Sequence, residues 1–130
     1  MKLKNLTISM LFAATFSLQN AAQAEGTTTL AMEQMAEILL SLEAKPGSDA
    51  QLTLDDITKD NASTYNERLL AGTIKHLDKK IRAEDKPTML KIWTSPAASE
   101  SERELAKILL RFNDKPSDST KAMLGQLLEQ

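Results

Sequence analysis

Residues 64–81 read TYNERLLAGTIKHLDKKI. Leu70, Ile74, Leu77 and Ile81 recur there at intervals of four, three and four, the spacing that lines one face of an α-helix. Thr64 and Glu67, three residues apart, form a capping box, in which each side chain satisfies a backbone amide that the first turn leaves unpaired. The stretch predicts a helix from Thr64 whose apolar seam runs to Ile81. Ser99 and Glu102 repeat the box ahead of Leu105, Ile108, Leu109 and Phe112, and the run Asn113, Asp114, Lys115, Pro116 closes that helix. Upstream, Leu30 to Ala44 carries Met32, Met35, Ala36, Leu39 and Leu42 at helical spacing before Pro46 and Gly47 stop it. Shorter amphipathic pieces, about Thr53 to Lys59, Pro87 to Trp93 and Ser119 to Glu129, fill the intervals.

Shifting the chain against itself by 35 residues superposes the helix starts Thr29, Thr64 and Ser99. The same shift aligns Met35, Leu70 and Leu105, then Ala36, Ala71 and Ala106, then Leu39, Ile74 and Leu109. Long and short helices thus alternate three times, predicting an all-α fold of about six helices in three helical hairpins. The period is that of stacked helical repeats, in which one unit cannot bury its apolar side alone. The alternative is a compact helical bundle whose amphipathic helices fall into register by their similar lengths. The tetratricopeptide repeat has a similar period, but its Trp, Gly and Tyr signature positions are absent, so no membership follows.

Residues 1–24 divide into a start carrying Lys2 and Lys4, an apolar stretch from Leu6 to Leu18, and a small-residue end with Ala22 and Ala24 at the −3 and −1 positions. That is a cleavable secretory signal, leaving 25–130 as a single all-α domain in the bacterial periplasm or outside the cell. The apolar stretch is shorter than the ~20 residues that span a bilayer, and no cysteine is present to accept a lipid, so neither a transmembrane nor a lipid anchor is expected. The chain holds 16 Lys+Arg and 18 Asp+Glu; removing Lys2 and Lys4 gives 14 − 18 = −4, an acidic product with no field to attract nucleic acid. With one histidine and no cysteine, most metal and nucleophilic chemistries lack their side chains. No cofactor is expected.

Four constellations remain. Asp56, Thr58, Asp60, Thr64 and Glu67 fall at positions 1, 3, 5, 9 and 12 of an EF-hand loop, the pattern of oxygen ligands for calcium. Asn61 and Ser63 stand where that loop usually has glycine and an apolar anchor, and Pro46 and Gly47 leave little room for an entering helix. A polar loop whose Glu67 serves the next helix is the preferred reading. Arg68, Lys75, Lys79 and Arg82 would share an arc of about 60° opposite the apolar seam, taking ~100° per residue, either as a solvated face or as a partner-binding stripe. His76 is expected at the surface, and Trp93, after Ile92, as a packing residue in the core. Paired carboxylates working as a small hydrolase would need a sugar-gripping cleft, for which three aromatics after residue 24 are few. The composition favours a non-enzymatic exported module that binds an unidentified periplasmic or envelope protein, an immunity- or inhibitor-type binder among them. A small-ligand or calcium-binding protein is the alternative.

Overall fold

The computed structural model describes residues 28–129, and within them the chain is all-helical. The elements are α1 (Leu30–Leu40), α2 (Ser48–Lys59), α3 (Tyr65–Lys75), a 3-10 turn (Ala83–Asp85), α4 (Lys86–Thr94), α5 (Glu100–Arg111) and α6 (Asp118–Leu128). The proposed signal segment, with Ala22 and Ala24, lies outside the described residues.

The 35-residue register is a property of the backbone. Thr29, Thr64 and Ser99 cap α1, α3 and α5, the helices expected to be long, with φ of −75°, −70° and −69° and ψ of 163°, 163° and 162°. Each side chain accepts from the amide three residues on. Past each of these helices the chain makes a knuckle whose central residue has positive φ: Ala44 at 68°, Lys79 at 67° and Asp114 at 72°. None of the three is glycine, so each knuckle costs about 1–2 kcal/mol of backbone strain. The surrounding structure holds it in place. The Ala44 amide donates to the Asp114 carbonyl at 2.6 Å, the Asp114 amide to the Lys79 carbonyl at 2.6 Å, and the Lys79 amide to the Ala44 carbonyl at 2.5 Å. Three amides and three carbonyls close a ring, and the repeats meet there around a pseudo-threefold axis.

Helix packing closes in the same way. α2 packs along α3, α4 along α5, and α6 along α1, while α1, α3 and α5 also touch one another. α2 and α4 therefore pair most extensively with the helix that follows each, and the six α-helices of the described residues, of 11, 12, 11, 9, 12 and 11 residues, do not alternate long and short as expected. The pair of α6 and α1 joins the two ends of the domain, where Thr28 Oγ1 donates to the Leu127 carbonyl at 2.8 Å. The molecule is a closed ring of three repeats, a compact bundle rather than an open stack.

The equivalent positions fill one core. Met35, Leu70 and Leu105, with Ala36, Ala71 and Ala106 and with Leu39, Ile74 and Leu109, are all fully buried. Alanine in each triple lets α1, α3 and α5 approach closely around the axis. The helix ends differ from expectation. α1 stops at Leu40, not Ala44, and α3 stops at Lys75, with the His76 amide bonded to the Gly72 and Ile74 carbonyls. Leu77 and Ile81 thus lie beyond the helix they were expected to line, yet both are buried, at 2% and 6% exposure, because the knuckle folds back onto the core. Their four-residue spacing is satisfied by a turn, not by a helical face. At the other boundary α2 starts five residues early, at Ser48, because Gly47 itself stands at the N-cap.

Candidate functional site

At the capped end of α1, α3 and α5, the two capping-box glutamates have a second role. Glu67 accepts the Thr64 amide on Oε1 at 2.8 Å and the hydroxyl of Thr29, from the preceding repeat, on Oε2. Glu102 accepts the Ser99 amide at 3.0 Å and Asn66 Nδ2 at 3.1 Å on Oε1, and the Thr64 hydroxyl on Oε2 at 2.7 Å. Both carboxylates are buried with every oxygen bonded, which is how such a group avoids the cost of losing water. The relay runs Thr29, Glu67, Thr64, Glu102, Ser99, and the equivalent position of the first repeat is Met32. These carboxylates hold repeats together.

Of the supposed calcium loop, residues 56–59 are helical and only 60–64 form a loop. Asp56 and Thr58 lie inside α2, the Thr58 hydroxyl donates to the Asp55 carbonyl at 2.7 Å, and Asp60 Oδ1 accepts the Ala62 amide at 2.9 Å. Glu67 is taken by the caps. Among the described residues no three His, Cys, Asp or Glu side chains group as a cation site.

The basic stripe is also broken up, because α3 ends before Lys79 and Arg82. Arg68 Nη1 donates to the Ser63 and Asp60 carbonyls, clamping the loop that precedes its own helix, and Arg103 does the same to Ala98 and Ser95 one repeat later. Lys75 pairs with Asp55 of α2, and that hydrogen bond, with the nearby charges of Lys75 and Lys59, holds the Asp55 carboxyl below the usual aspartate range. Arg82 lies against Asp85, with Nε to Oδ2 at 3.0 Å, and against Glu84. Of the four stripe residues only Lys79, at the apex of its knuckle, has neither an ion pair nor a side-chain hydrogen bond among the described residues. His76 is exposed, with Nδ1 2.9 Å from the Gly72 carbonyl.

Trp93 departs from its expected place in the core. It is 38% exposed and lines a polar recess with Glu100, Arg103, Glu104 and Lys107. On the other side of α4, Tyr65 and Leu69 of α3 form a groove of about 190 Å³ with Thr88, Lys91, Ile92 and Ser95. Tyr65 is 70% exposed, and Leu90 is exposed on the outer face of α4. A pseudo-equivalent groove of about 460 Å³ lies one repeat earlier, where Leu30, Gln34, Asp56, Ile57 and Asp60 stand in place of Tyr65, Leu69, Lys91, Ile92 and Ser95. The sequence reading missed Tyr65 and Leu69, although the two stand four apart on α3 and off the Leu70/Ile74 face. That spacing was the available signal.

No protein family, curated protein or solved structure matches this chain. Among the described residues no helix is long and apolar enough to cross a membrane.

Proposed function

We propose that this is a non-enzymatic, exported protein that acts in the periplasm by binding another protein through its middle repeat, residues 64–98. The observation that carries the reading is that the chain's only tyrosine and only tryptophan are both solvent-accessible and both belong to this repeat. The fold places no such demand on those positions. Where the middle repeat has Tyr65, Leu69, Leu90 and Trp93, the first has Leu30, Gln34, Asp55 and Thr58, and the third has Glu100, Glu104, Gly125 and Leu128. Of these three equivalent sites the middle one alone places aromatic groups at the surface, whereas the first exposes the leucines Leu30 and Leu52. Tyrosine and tryptophan bring large contact area at little entropic cost, and they dominate the energetics of protein interfaces.

The test is photo-crosslinking in cells, with a photoreactive phenylalanine placed at position 65 or 93 and, as control, at exposed Lys121 on α6. Adducts with a defined protein from 65 and 93 but not from 121 support the reading. Adducts from none of the three, with the protein exported and folded, contradict it. The intact mass of the periplasmic product should begin at Glu25; a mass retaining residues 1–24 would remove export from the proposal.

A further inference from the structure

The two grooves occupy equivalent places in the repeat and differ in volume, about 460 against 190 Å³, and in charge. In the first, Asp56 and Asp60 lie beside Leu30, an aliphatic side chain that is 68% exposed. In the second, Lys91 and Ser95 occupy the corresponding positions beside Tyr65 and Leu69. The arginine clamps on the preceding loops are common to both, Arg68 at Asp60 and Ser63, Arg103 at Ser95 and Ala98. What remains is a difference of two aspartates against one lysine, −2 against +1. Neither Asp56, Asp60 nor Lys91 takes part in an ion pair among the described residues.

We infer that copies of this chain associate head to tail, the Leu30 edge of one copy seating in the Tyr65–Leu69–Ile92 groove of the next with Asp56 and Asp60 facing Lys91. This rests on the middle groove being a docking surface and names its occupant as a second copy. An exposed leucine flanked by acids is what an apolar groove rimmed by a lysine fits, and opposite charges fix which edge meets which. The two surfaces are different patches of one chain, so the contact is heterologous and leaves a free edge and a free groove at the ends of each assembly. Growth beyond two copies follows. One leucine and one ionic rim make a small interface, so association is weak, rises with concentration and falls with salt.

Two substitutions test it, each borrowing a residue the fold already carries at an equivalent position. Leu30→Glu copies Glu100 at the start of α5, and Lys91→Glu installs an acid where α2 has Asp56. Both should leave the helical circular dichroism unchanged. In sedimentation velocity the unaltered protein should show a weight-average mass that climbs past two copies with concentration and drops in high salt. Each variant alone should be monomeric. An equimolar mixture should form a heterodimer that grows no further, because the Lys91→Glu copy keeps its Leu30 edge and the Leu30→Glu copy keeps its groove. An unaltered protein that stays monomeric, or stops at a dimer, overturns the inference, as do variants that assemble unimpaired or a mixture that stays monomeric. Failure here together with crosslinks from Tyr65 to another protein would remove self-association and leave the proposed function standing.

Discussion

The backbone amide of Lys79 donates to the carbonyl of Ala44, the residue 35 positions before it, and both stand in the left-handed region at φ of 67° and 68°. With Asp114 they form the ring in which the three repeats meet. The bonds use main-chain atoms alone, so alanine, lysine and aspartate can occupy the three equivalent positions. What they share is a conformation that L-residues adopt at a cost.

That cost can be relieved one residue at a time. Lys79→Gly removes the clash of Cβ in the left-handed region, worth about 1–2 kcal/mol, against roughly 0.4–1 kcal/mol of added unfolded-chain entropy. It should be neutral or raise stability by up to about 1.5 kcal/mol in chemical denaturation. Lys79→Pro removes the amide that bonds Ala44 and forbids positive φ, so it should cost about 3 kcal/mol or more. If glycine and proline were equally harmful, Lys79 would not be held by the ring.

Much of the fold was legible in the sequence, and the two capping boxes mark where α3 and α5 begin. The 35-residue period was equally visible in Thr29, Thr64 and Ser99. Closure was not, because the ring bonds use main-chain atoms of Ala44, Lys79 and Asp114, which share no side chain, and the lysine that follows each of them, Lys45, Lys80 and Lys115, does not by itself signal a closed ring. The stripe of Arg68, Lys75, Lys79 and Arg82 was misread because helical periodicity was carried past the end of α3 at Lys75 through Leu77 to Ile81, whose burial a turn explains as well. Trp93 was misplaced because adjacency to Ile92 says nothing of which face a short helix turns outward.

Inside the helices the glycines behave oppositely to the knuckles. Gly72 in α3 and Gly125 in α6 have negative φ, and a Cβ at either would meet nothing within 4 Å. Gly72→Ala and Gly125→Ala should each stabilise the domain by roughly 1 kcal/mol, the difference in helix propensity. Destabilisation by either would mean a tighter environment than the structure gives.

Glu67 joins two repeats, so truncating it removes a helix cap and leaves the Thr29 hydroxyl without its acceptor. Glu67→Ala should cost about 2 kcal/mol, more than a cap alone at about 1 kcal/mol. The double variant with Thr29→Val should cost less than the sum of the two single changes, since both break one bond. Full additivity in a double-mutant cycle would show that the cross-repeat bond contributes nothing.

The Asp55–Lys75 pair gives the stability a defined pH dependence. Because the folded-state pKa of Asp55 is depressed, its contribution is present above the ordinary aspartate value of about 3.9 and is lost as pH falls through the depressed value. The melting temperature of the parent should exceed that of Asp55→Asn at neutral pH, and the gap should close on acidification below that range. The pair is partly solvent-exposed, so the gap is small. A gap that stays constant with pH would place the effect of the substitution elsewhere.

Closure of the three repeats is tested most directly by circular permutation. Joining Gln130 to Gly26 by a peptide bond makes the distance from Ser99 to the next Thr29 again 35 residues, and the chain can be opened between Asn61 and Ala62, both exposed. In a closed ring this permutant retains every α6 to α1 contact, including the Thr28 to Leu127 bond, and loses only one loop. It should unfold cooperatively in thermal denaturation, with a melting temperature within a few degrees of the parent's. A permutant that is unfolded or melts without cooperativity would contradict the ring, because the ends of an open stack cannot be joined without tearing it apart.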